Sequence, residues 1–261
     1  MSTLTVTKLT KRFGGLIAVN GVDFTFRSGV ISAVIGPNGA GKTTFFNMIT
    51  GLYAPDDGIV ELDGRSIGGA KPNRITSLGI ARTFQNIRLF GSMTVLENVM
   101  VGMHGRLKAG LFGSIFQPPR VRHEEIEATL EGYRLLEYFG LEEWMNERAD
   151  SLPYGAQRRL EIARALATKP KVLLLDEPAA GMNPRETAEL TALIKRMQGE
   201  LDMTVILIEH DMKLVMGLSE HILVLDYGTK IAEGSPDEIR NHPRVIEAYL
   251  GKSAGEAEVI A

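Results

Sequence analysis

A glycine-rich stretch followed by a lysine and a threonine carries the clearest chemical signal in the chain, Gly36-Pro37-Asn38-Gly39-Ala40-Gly41-Lys42-Thr43. It fits the pattern Gly-x-x-x-x-Gly-Lys-Ser/Thr, in which glycines let backbone N–H groups turn inward around phosphate oxygens. In such a loop the lysine reaches the β- and γ-phosphates and the hydroxyl ligates Mg²⁺. A predicted strand precedes the stretch and a predicted helix follows it, which argues against an accidental glycine-rich turn. We therefore predict a nucleoside triphosphate site.

Two adjacent carboxylates follow an apolar run, in Val172-Leu173-Leu174-Leu175-Asp176-Glu177. At the end of a buried strand, the first carboxylate can hold Mg²⁺ through a water and the second can polarise an attacking water. Alone the pattern is weak, because apolar strands that end in a solvated acidic loop are common. Coupled to the phosphate loop (residues 36–43), it predicts that Asp176 is a metal-binding residue and that Glu177 is the base of a hydrolysis.

The elements that must position these residues alternate between strands and helices. Residues 91–165 have helical periodicity, interrupted by a Gly- and Pro-containing stretch at residues 108–121. Apolar strands that alternate with helices predict an α/β fold with a largely parallel, buried sheet. Strands are predicted at residues 3–9, 22–27, 30–35, 59–62, 80–84, 172–175, 204–208 and 221–225, and helices at residues 43–51, 185–198 and 212–218.

Composition excludes several classes of protein. The 29 basic and 32 acidic residues form no block of one sign, so bulk charge gives no sign of nucleic-acid or lipid binding. The absence of cysteine removes disulfides, thiolate nucleophiles and Cys-ligated zinc, and it fits a reducing compartment. Residues 1–6 lack the features of a signal peptide, so we expect the chain to stay where it is made. The longest strongly apolar runs fall far short of the roughly 20 residues that a spanning helix needs, so we expect any membrane role to come through partners.

Further residues at matching positions make nearly the whole chain resemble the ATPases of ABC (ATP-binding cassette) transporters. Phe13 matches the aromatic residue that stacks on adenine in that family, although on its own it would be taken for a core phenylalanine. Gln85 matches the glutamine that contacts Mg²⁺ and joins the core to a helical subdomain. His210, which ends a predicted strand, matches the histidine that contacts the γ-phosphate. The stretch Ala180-Gly181-Met182-Asn183 matches the loop that crosses the dimer interface.

The resemblance implies a fold and a complete set of site residues. The fold is a P-loop NTPase (ABC ATPase) core with a mostly parallel sheet, an N-terminal antiparallel β subdomain and an inserted helical subdomain. ATP and Mg²⁺ are the implied cofactors. The implied nucleotide contacts are Phe13, Val19, Asn38, Gly39, Gly41, Lys42, Thr43 and Thr44; the implied catalytic residues are Lys42, Gln85, Glu177 and His210; and the implied Mg²⁺ ligands are Thr43, Gln85 and, through a water, Asp176.

The same resemblance divides the single domain, residues 1–261, into parts. Residues 1–90 and 160–252 are expected to form the nucleotide-binding core, residues 91–159 the helical subdomain, and residues 253–261 a flexible tail. Within residues 105–122 lies the apolar stretch Leu111-Phe112-Gly113-Ser114-Ile115-Phe116. Such a patch is either a docking surface for a membrane subunit or a set of side chains that pack on their own subdomain.

The signature segment departs from the common family form. It is Ser151-Leu152-Pro153-Tyr154-Gly155-Ala156-Gln157-Arg158-Arg159-Leu160, where the family usually has Leu-Ser-Gly-Gly-Gln. In the family this segment binds the γ-phosphate of the ATP held by the other subunit, whereas Pro153 supplies neither a hydroxyl nor an N–H. Tyr154 and Ala156 also differ from the common form, and Gly155 is kept. We therefore hypothesise a heterodimer with unequal sites, in which this chain's own cradle is competent; a homodimer with two weakened signatures remains the alternative.

Other stretches resemble the branched-chain amino acid importer type of ABC ATPase. They are residues 13–20, 178–184, 210–216 and 245–251, together with the tyrosine form of the signature. The resemblance implies a second ATPase subunit, two membrane-spanning permease subunits and an external substrate-binding protein, with this chain peripheral on the cytoplasmic face of the inner membrane and no nucleic-acid partner. Urea or amide importers and the lipopolysaccharide exporter have similar ATPases. A soluble ABC ATPase, a small-molecule kinase and a non-catalytic binding module are the more distant alternatives.

Overall fold

The computed structural model describes residues 3–106 and 119–250, with the side chains of residues 119–122 and 250 left aside. The apolar stretch 111–116 and the expected tail at residues 253–261 lie outside the described residues. Within these described ranges, no helix is long and apolar enough to cross a membrane.

The strands form two sheets. Five strands of the larger sheet run parallel and β10 is antiparallel to its neighbour, in the order β10-β9-β3-β8-β7-β6, and the smaller sheet is antiparallel in the order β2-β1-β4-β5. This confirms the predicted α/β class. In the described residues the strands are β1 (Leu4–Phe13), β2 (Leu16–Phe26), β3 (Ile31–Ile35), β4 (Asp57–Leu62), β5 (Arg65–Ser66), β6 (Ile80–Arg82), β7 (Val172–Asp176), β8 (Thr204–Ile208), β9 (His221–Asp226) and β10 (Thr229–Gly234).

The helices lie between and beyond the strands. Two 3₁₀ turns, Glu142–Trp144 and Ala149–Ser151, precede the helix that begins at Tyr154. In the described residues the α-helices are α1 (Lys42–Ile49), α2 (Pro72–Leu78), α3 (Val95–Met103), α4 (Pro119–Phe139), α5 (Tyr154–Leu166), α6 (Pro184–Leu201), α7 (Met212–Leu218), α8 (Pro236–Arg240) and α9 (Pro243–Leu250).

The N-terminal hairpin is longer than the sequence pattern predicts. Strands were expected at residues 3–9 and 22–27, but β1 and β2 continue to Phe13 and Leu16 and join through Gly14, which has a φ of 57°. Glycine suits this left-handed position because it has no Cβ. Alternation of apolar and polar residues weakens after residue 9, which hides the extension from the pattern. The extension matters because it carries Phe13 to an exposed tip.

The large sheet is buried on both faces. On one face, Val34, Leu174 and Ile206 pack with Phe45 of α1 and with the antiparallel sheet. On the other face, the alternate residues Leu173 and Val205 pack in a second apolar cluster. Since side chains alternate along a strand, continuous apolar strands such as β3, β7 and β8 are what a sheet covered on both sides requires.

Helices α3, α4 and α5 lie between β6 and β7 in the chain and pack on one another. Leu136 of α4, Val99 of α3 and Leu160 of α5 share the second apolar cluster. The expected boundary between residues 159 and 160 falls inside α5, which runs without a break from the signature segment towards β7. Any movement of the signature segment must therefore move this helix.

Candidate active site

The phosphate loop joins β3 to α1, and two of its glycines are fixed by close backbone neighbours. A Cβ on Gly36 would lie 2.0 Å from the Leu225 carbonyl oxygen, and a Cβ on Gly41 would lie 2.3 Å from that of Ala18. Gly41 also has a φ of 96° and precedes α1 without a side-chain cap. The N–H groups in the first turn of an α-helix lack intrahelical partners, so this loop presents donors and a positive dipole end to an anion.

Lys42 lies inside the loop that precedes it. Its ammonium donates to the carbonyl oxygens of Gly36 and Pro37 over 2.6 and 3.1 Å, and the residue is buried. A buried ammonium held by carbonyl dipoles keeps its charge near the phosphate-binding backbone. The local sequence thus places one full positive charge at the mouth of the loop.

A cavity of about 680 Å³ opens at this loop. Its wall contains most of the nucleotide contacts that the resemblance implies, together with Gln85 and Glu177. Val19 is fully buried and does not line the cavity. The lining residues are Phe13, Leu16, Ile17, Ala18, Asn38, Gly39, Ala40, Gly41, Lys42, Thr43, Thr44, Gln85, Glu177 and Tyr227.

Part of the cavity wall is apolar and aromatic. Phe13 packs edge-to-face on Tyr53 with ring centroids 5.3 Å apart, yet remains 42% exposed. Leu16 and Ile17 of the hairpin tip are also exposed. An exposed aromatic and aliphatic wall beside a phosphate loop suits the flat face of a nucleobase.

Tyr227 is a second aromatic residue of this wall, and sequence analysis missed it. It lies in the turn between β9 and β10 with a φ of 43°, and it is 73% exposed. Two backbone bonds tie the turn to the site: Gly228 N donates to Ala40 O over 3.0 Å, and Asn20 N donates to Gly228 O over 2.8 Å. The Tyr227-Gly228 pair is a recognisable turn signal, but only the tertiary structure brings it to the phosphate loop.

Glu177 combines a strained backbone with a fixed carboxylate. Its φ is 45°, in the left-handed region that a non-glycine residue rarely adopts. The Gln85 side-chain amide donates to its Oε2 over 2.7 Å, and His210 Nδ1 lies 3.8 Å from the same oxygen. Strain of this kind is found where the surrounding structure holds a functional group in place. The structure therefore brings Gln85, Glu177 and His210 together.

Asp176 lies behind Glu177 and does not line the cavity. Its carboxylate accepts a hydrogen bond from Arg82 Nη2 over 2.6 Å, and both side chains are almost fully buried. Arg82 also donates through Nη1 to Asn47 Oδ1 of α1 and to Thr50 Oγ1, the residue that follows this helix. Sequence analysis did not single out Arg82, because nothing local to β6 shows which carboxylate it meets.

The Mg²⁺ ligand set that the resemblance implies fits the chemistry of the residues present. Thr43 is exposed in the first turn of α1 and lines the cavity. Gln85 donates through its nitrogen to Glu177, and an amide used in this way keeps an oxygen acceptor. Hydroxyl, amide and carboxylate oxygens are the hard ligands that Mg²⁺ prefers, alongside substrate phosphates. The described residues contain no cluster of three or more His, Asp or Glu side chains that could hold a metal on its own.

Glu209 supports the loop next to His210. Its buried carboxylate accepts backbone hydrogen bonds from Ala179 N and His210 N over 3.0 and 3.2 Å. Burial raises the pKa of Glu209, and these backbone donors oppose that rise. The residue thus joins the strand end that carries His210 to the turn that follows Glu177.

The signature segment begins α5 away from the cavity. Pro153 is the N-cap of the helix and provides no side-chain cap, and Ala156 is buried. A Cβ on Gly155 would lie 2.9 Å from Glu186 Oε1, so the glycine accommodates α6. None of Pro153, Tyr154, Gly155 and Ala156 lines this chain's own cavity, an arrangement that suits a segment used by a neighbouring subunit.

A mostly parallel sheet, a phosphate loop between β3 and α1, and a glutamine bonded to the Glu177 carboxylate together define a P-loop ATPase of the cassette class. The family model "ABC transporter" matches residues 19–180, and the model "Branched-chain amino acid ATP-binding cassette transporter" matches residues 229–255. The Pseudomonas aeruginosa protein BraF, a high-affinity branched-chain amino acid transport ATP-binding protein, is 50% identical over 250 residues, which cover 96% of this chain and 98% of BraF.

Two solved structures are also similar. The ADP conformation of MJ1267, an ATP-binding cassette of an ABC transporter, has a TM-score of 0.84 and 32% identity, and the match covers 97% of this chain and all of that one. The dimeric post-hydrolysis structure of the cassette MJ0796 with ADP and Pi has a TM-score of 0.75 and 25% identity, covering 89% and 98% of the two chains. The chain belongs to the ABC transporter family, as an ATP-binding subunit of the branched-chain amino acid type.

Proposed function

We propose that this chain binds ATP with Mg²⁺ in the cavity at its phosphate loop and hydrolyses it to drive uptake of branched-chain amino acids by an ABC importer. The observation that carries the proposal is the meeting of Lys42, Gln85 and Glu177 on one cavity wall. The solute class rests on the relatives, since the transported solute never touches an ATPase subunit of this kind. BraF is named as a branched-chain amino acid transport protein and is similar over nearly the whole chain.

Each side chain has a distinct role in the proposed reaction. Phe13 stacks on the adenine base, and the N–H groups around Gly39 and Gly41 bind phosphate oxygens. Lys42 neutralises charge on the β- and γ-phosphates. Glu177 accepts a proton from the attacking water, while Gln85 holds the Glu177 carboxylate in place.

The remaining residues bind the metal and the γ-phosphate. Thr43, Gln85 and, through a water, Asp176 would hold Mg²⁺, which neutralises charge on the triphosphate when bound. The Asp176 carboxylate is oriented for this task by Arg82. His210 contacts the γ-phosphate from the end of β8, close to Glu177.

We also propose that the chain works in a heterodimer on the cytoplasmic face of the membrane. A dimeric cassette structure exists among its relatives in fold, and the departures at Pro153, Tyr154 and Ala156 weaken the phosphate site that this chain offers to a partner. The cradle at Lys42 is completed by the partner's signature instead. ATP favours the closed pair and ADP does not, so binding and hydrolysis move the permease subunits. An external binding protein delivers the amino acid.

The proposal is tested by uptake of labelled leucine, isoleucine and valine in cells that carry Lys42→Ala. Lys195→Ala, on the exposed side of α6, is the matched control. We expect selective loss of uptake of the three amino acids with Lys42→Ala and normal uptake with Lys195→Ala. Unchanged uptake of these three, or loss of urea uptake instead, would contradict the proposed solute class.

A further inference from the structure

The first residue of α5 reaches across to the turn that follows Glu177. The Tyr154 hydroxyl donates to the Ala180 carbonyl oxygen over 2.9 Å. The tyrosine side chain lies against Gly181, where a Cβ would be 3.4 Å from two ring carbons and from the hydroxyl oxygen. Ala180 N in turn donates to the Glu177 carbonyl oxygen over 3.2 Å. The start of the signature helix is therefore bonded to the turn that carries the catalytic carboxylate.

One helical turn later, Arg158 is hydrogen-bonded to the segment that carries Gln85. Arg158 has no exposed surface, and it donates to the carbonyl oxygens of Phe84 and Gln85, each over 2.7 Å. Its Nη2 also lies 3.3 Å from the Tyr154 hydroxyl. The planar guanidinium can serve several acceptors at fixed angles, which a lysine cannot do. Since Gln85 donates to the Glu177 carboxylate, this is a second route from α5 to Glu177.

Glu161 balances the buried charge of Arg158. Its Oε2 pairs with Arg158 Nη1 over 3.0 Å, and its Oε1 accepts from the backbone N–H of Arg88 over 3.2 Å. Burial raises the pKa of Glu161, while the Arg88 backbone bond and the Arg158 charge oppose the rise. A buried ion pair adds little stability compared with apolar packing, and its best-attested use is to fix one arrangement. Here the arrangement that is fixed is the position of residues 84–88 relative to α5.

We infer that Tyr154 and Arg158 are positioning residues that couple the position of α5 to the Glu177 carboxylate. The inference rests on the proposed function, because it takes Glu177 as the base of ATP hydrolysis. Two segments flank Glu177, and both are bonded to the first two turns of one helix. A displacement of α5 therefore moves the Gln85 segment and the Ala180 turn together. Glycine, which the common signature has in place of Tyr154, could make neither the hydroxyl bond nor the ring contact.

The signature segment therefore differs from the common family form in its proposed role as well as in its sequence. The signature segment of this chain has lost groups that bind a partner's nucleotide, yet it has gained a hydroxyl that reaches its own catalytic turn. Closure against the partner that displaces α5 would thus also shift this chain's own Glu177. Turnover, rather than ATP binding, should depend on the Tyr154 hydroxyl.

Tyr154→Phe is the sharpest test, because it removes one oxygen and keeps the ring. Tyr138→Phe is the matched control: the Tyr138 hydroxyl also donates one hydrogen bond, to Glu200 Oε2 over 2.8 Å, and Tyr138 does not line the cavity. In the assembled transporter we expect kcat for ATP to fall about fivefold with Tyr154→Phe, the effect of one lost hydrogen bond. KM should stay within about twofold, since ground-state binding is untouched. The control should leave both values unchanged.

Hydrogen exchange on the full chain without nucleotide gives a second readout. Tyr154→Phe should speed amide exchange in residues 178–183, and Arg158→Lys should speed it in residues 84–88, with the melting temperature of Tyr154→Phe close to that of the wild type. Wild-type kcat and wild-type exchange in both variants would overturn the inference. Failure of the proposed function would be seen differently, as absence of ATP turnover by the wild-type transporter, because the exchange measurement needs no turnover.

Discussion

Arg82 and Asp176 form a buried ion pair in which Nη2 donates to Oδ2 over 2.6 Å. The two residues end neighbouring parallel strands, β6 and β7, so the pair lies at the edge of the sheet where Glu177 follows. The guanidinium carbon also lies 5.3 Å from the centre of the Phe84 ring, just before Gln85. One arginine thus pairs with the Asp176 carboxylate and packs on the segment that carries Gln85.

Removing the Arg82 side chain should therefore lower the stability of the folded chain. Arg82→Met would leave the Asp176 carboxylate buried without a partner, because its exposed fraction is only 7%. We expect the free energy of unfolding to fall by about 3 kcal/mol, as is usual when one member of a buried pair is lost. Denaturant unfolding of the full chain measures it. The double variant Arg82→Met/Asp176→Asn should recover much of the loss, since no unpaired charge is then buried.

An exposed ion pair supplies the comparison. Lys171 pairs with Asp63 over 3.0 Å, but the two side chains are 53% and 36% exposed. Lys171→Met should cost less than about 1 kcal/mol, because solvent screens such a pair. Equal losses for Arg82→Met and Lys171→Met would show that burial does not govern the Arg82 contact.

Gly41 tests whether close backbone approach shapes the phosphate loop. Gly41→Ala places a Cβ 2.3 Å from the Ala18 carbonyl oxygen and requires alanine at a φ of 96°. We expect ATP affinity to fall at least about tenfold, which corresponds to roughly 1.4 kcal/mol and lies within the cost of such strain. Gly199→Ala in α6 meets nothing within 4 Å and should bind ATP normally while gaining about 0.5–1 kcal/mol of stability. Normal ATP binding by Gly41→Ala would contradict the loop geometry.

Two aromatic rings line the cavity, and we expect the loss of either one to weaken nucleotide binding. Phe13→Ala and Tyr227→Ala each remove a ring from the cavity, and we expect each to weaken ATP binding up to about tenfold, the scale of one aromatic contact. Titration with a fluorescent ATP analogue measures this. Leu52→Ala is the control, because Leu52 is a similarly exposed apolar residue that does not line the cavity. A loss with Phe13→Ala alone would remove Tyr227 from the binding wall.

His221 predicts a pH dependence of stability that is separate from catalysis. Burial, followed by the charge of Arg27, lowers the pKa of His221 below its ordinary value of 6.5. The unfolded chain therefore binds more protons below about pH 6.5, so the stabilising contribution is present above that pH and is lost as the pH falls through the folded-state pKa. We expect the unfolding free energy of the wild type to decline more than that of His221→Phe as the pH falls below about 6.5.

His221→Phe is a suitable variant because His221 stacks on Phe24 with centroids 4.8 Å apart, and phenylalanine keeps that contact. His123→Gln is the control, since His123 is 76% exposed. Stability curves measured at several pH values decide the matter. If His221→Phe follows the wild-type pH dependence, the histidine is not the group that titrates.

The parts of the site that sequence could predict are those encoded by local patterns. The phosphate loop, the carboxylates at the end of β7 and the largely parallel sheet follow from glycine spacing and apolar runs, and the structure confirms the sheet. Arg82 and Tyr227 escaped prediction because their roles come from contacts between elements distant in the chain. Val19 was expected at the nucleotide, but it is fully buried, and its neighbours Leu16, Ile17 and Ala18 line the cavity instead.

The central claim is that Glu177 is the base at a competent site on this chain, and ATP turnover by the assembled transporter with Glu177→Gln tests it most directly. We expect turnover to fall at least about a hundredfold, as for loss of a general base, with ATP binding retained. Glu189→Gln, which alters an exposed carboxylate of α6, should turn over ATP at the wild-type rate. Turnover by Glu177→Gln within about twofold of wild type, a change smaller than any general base contributes, would contradict the claim.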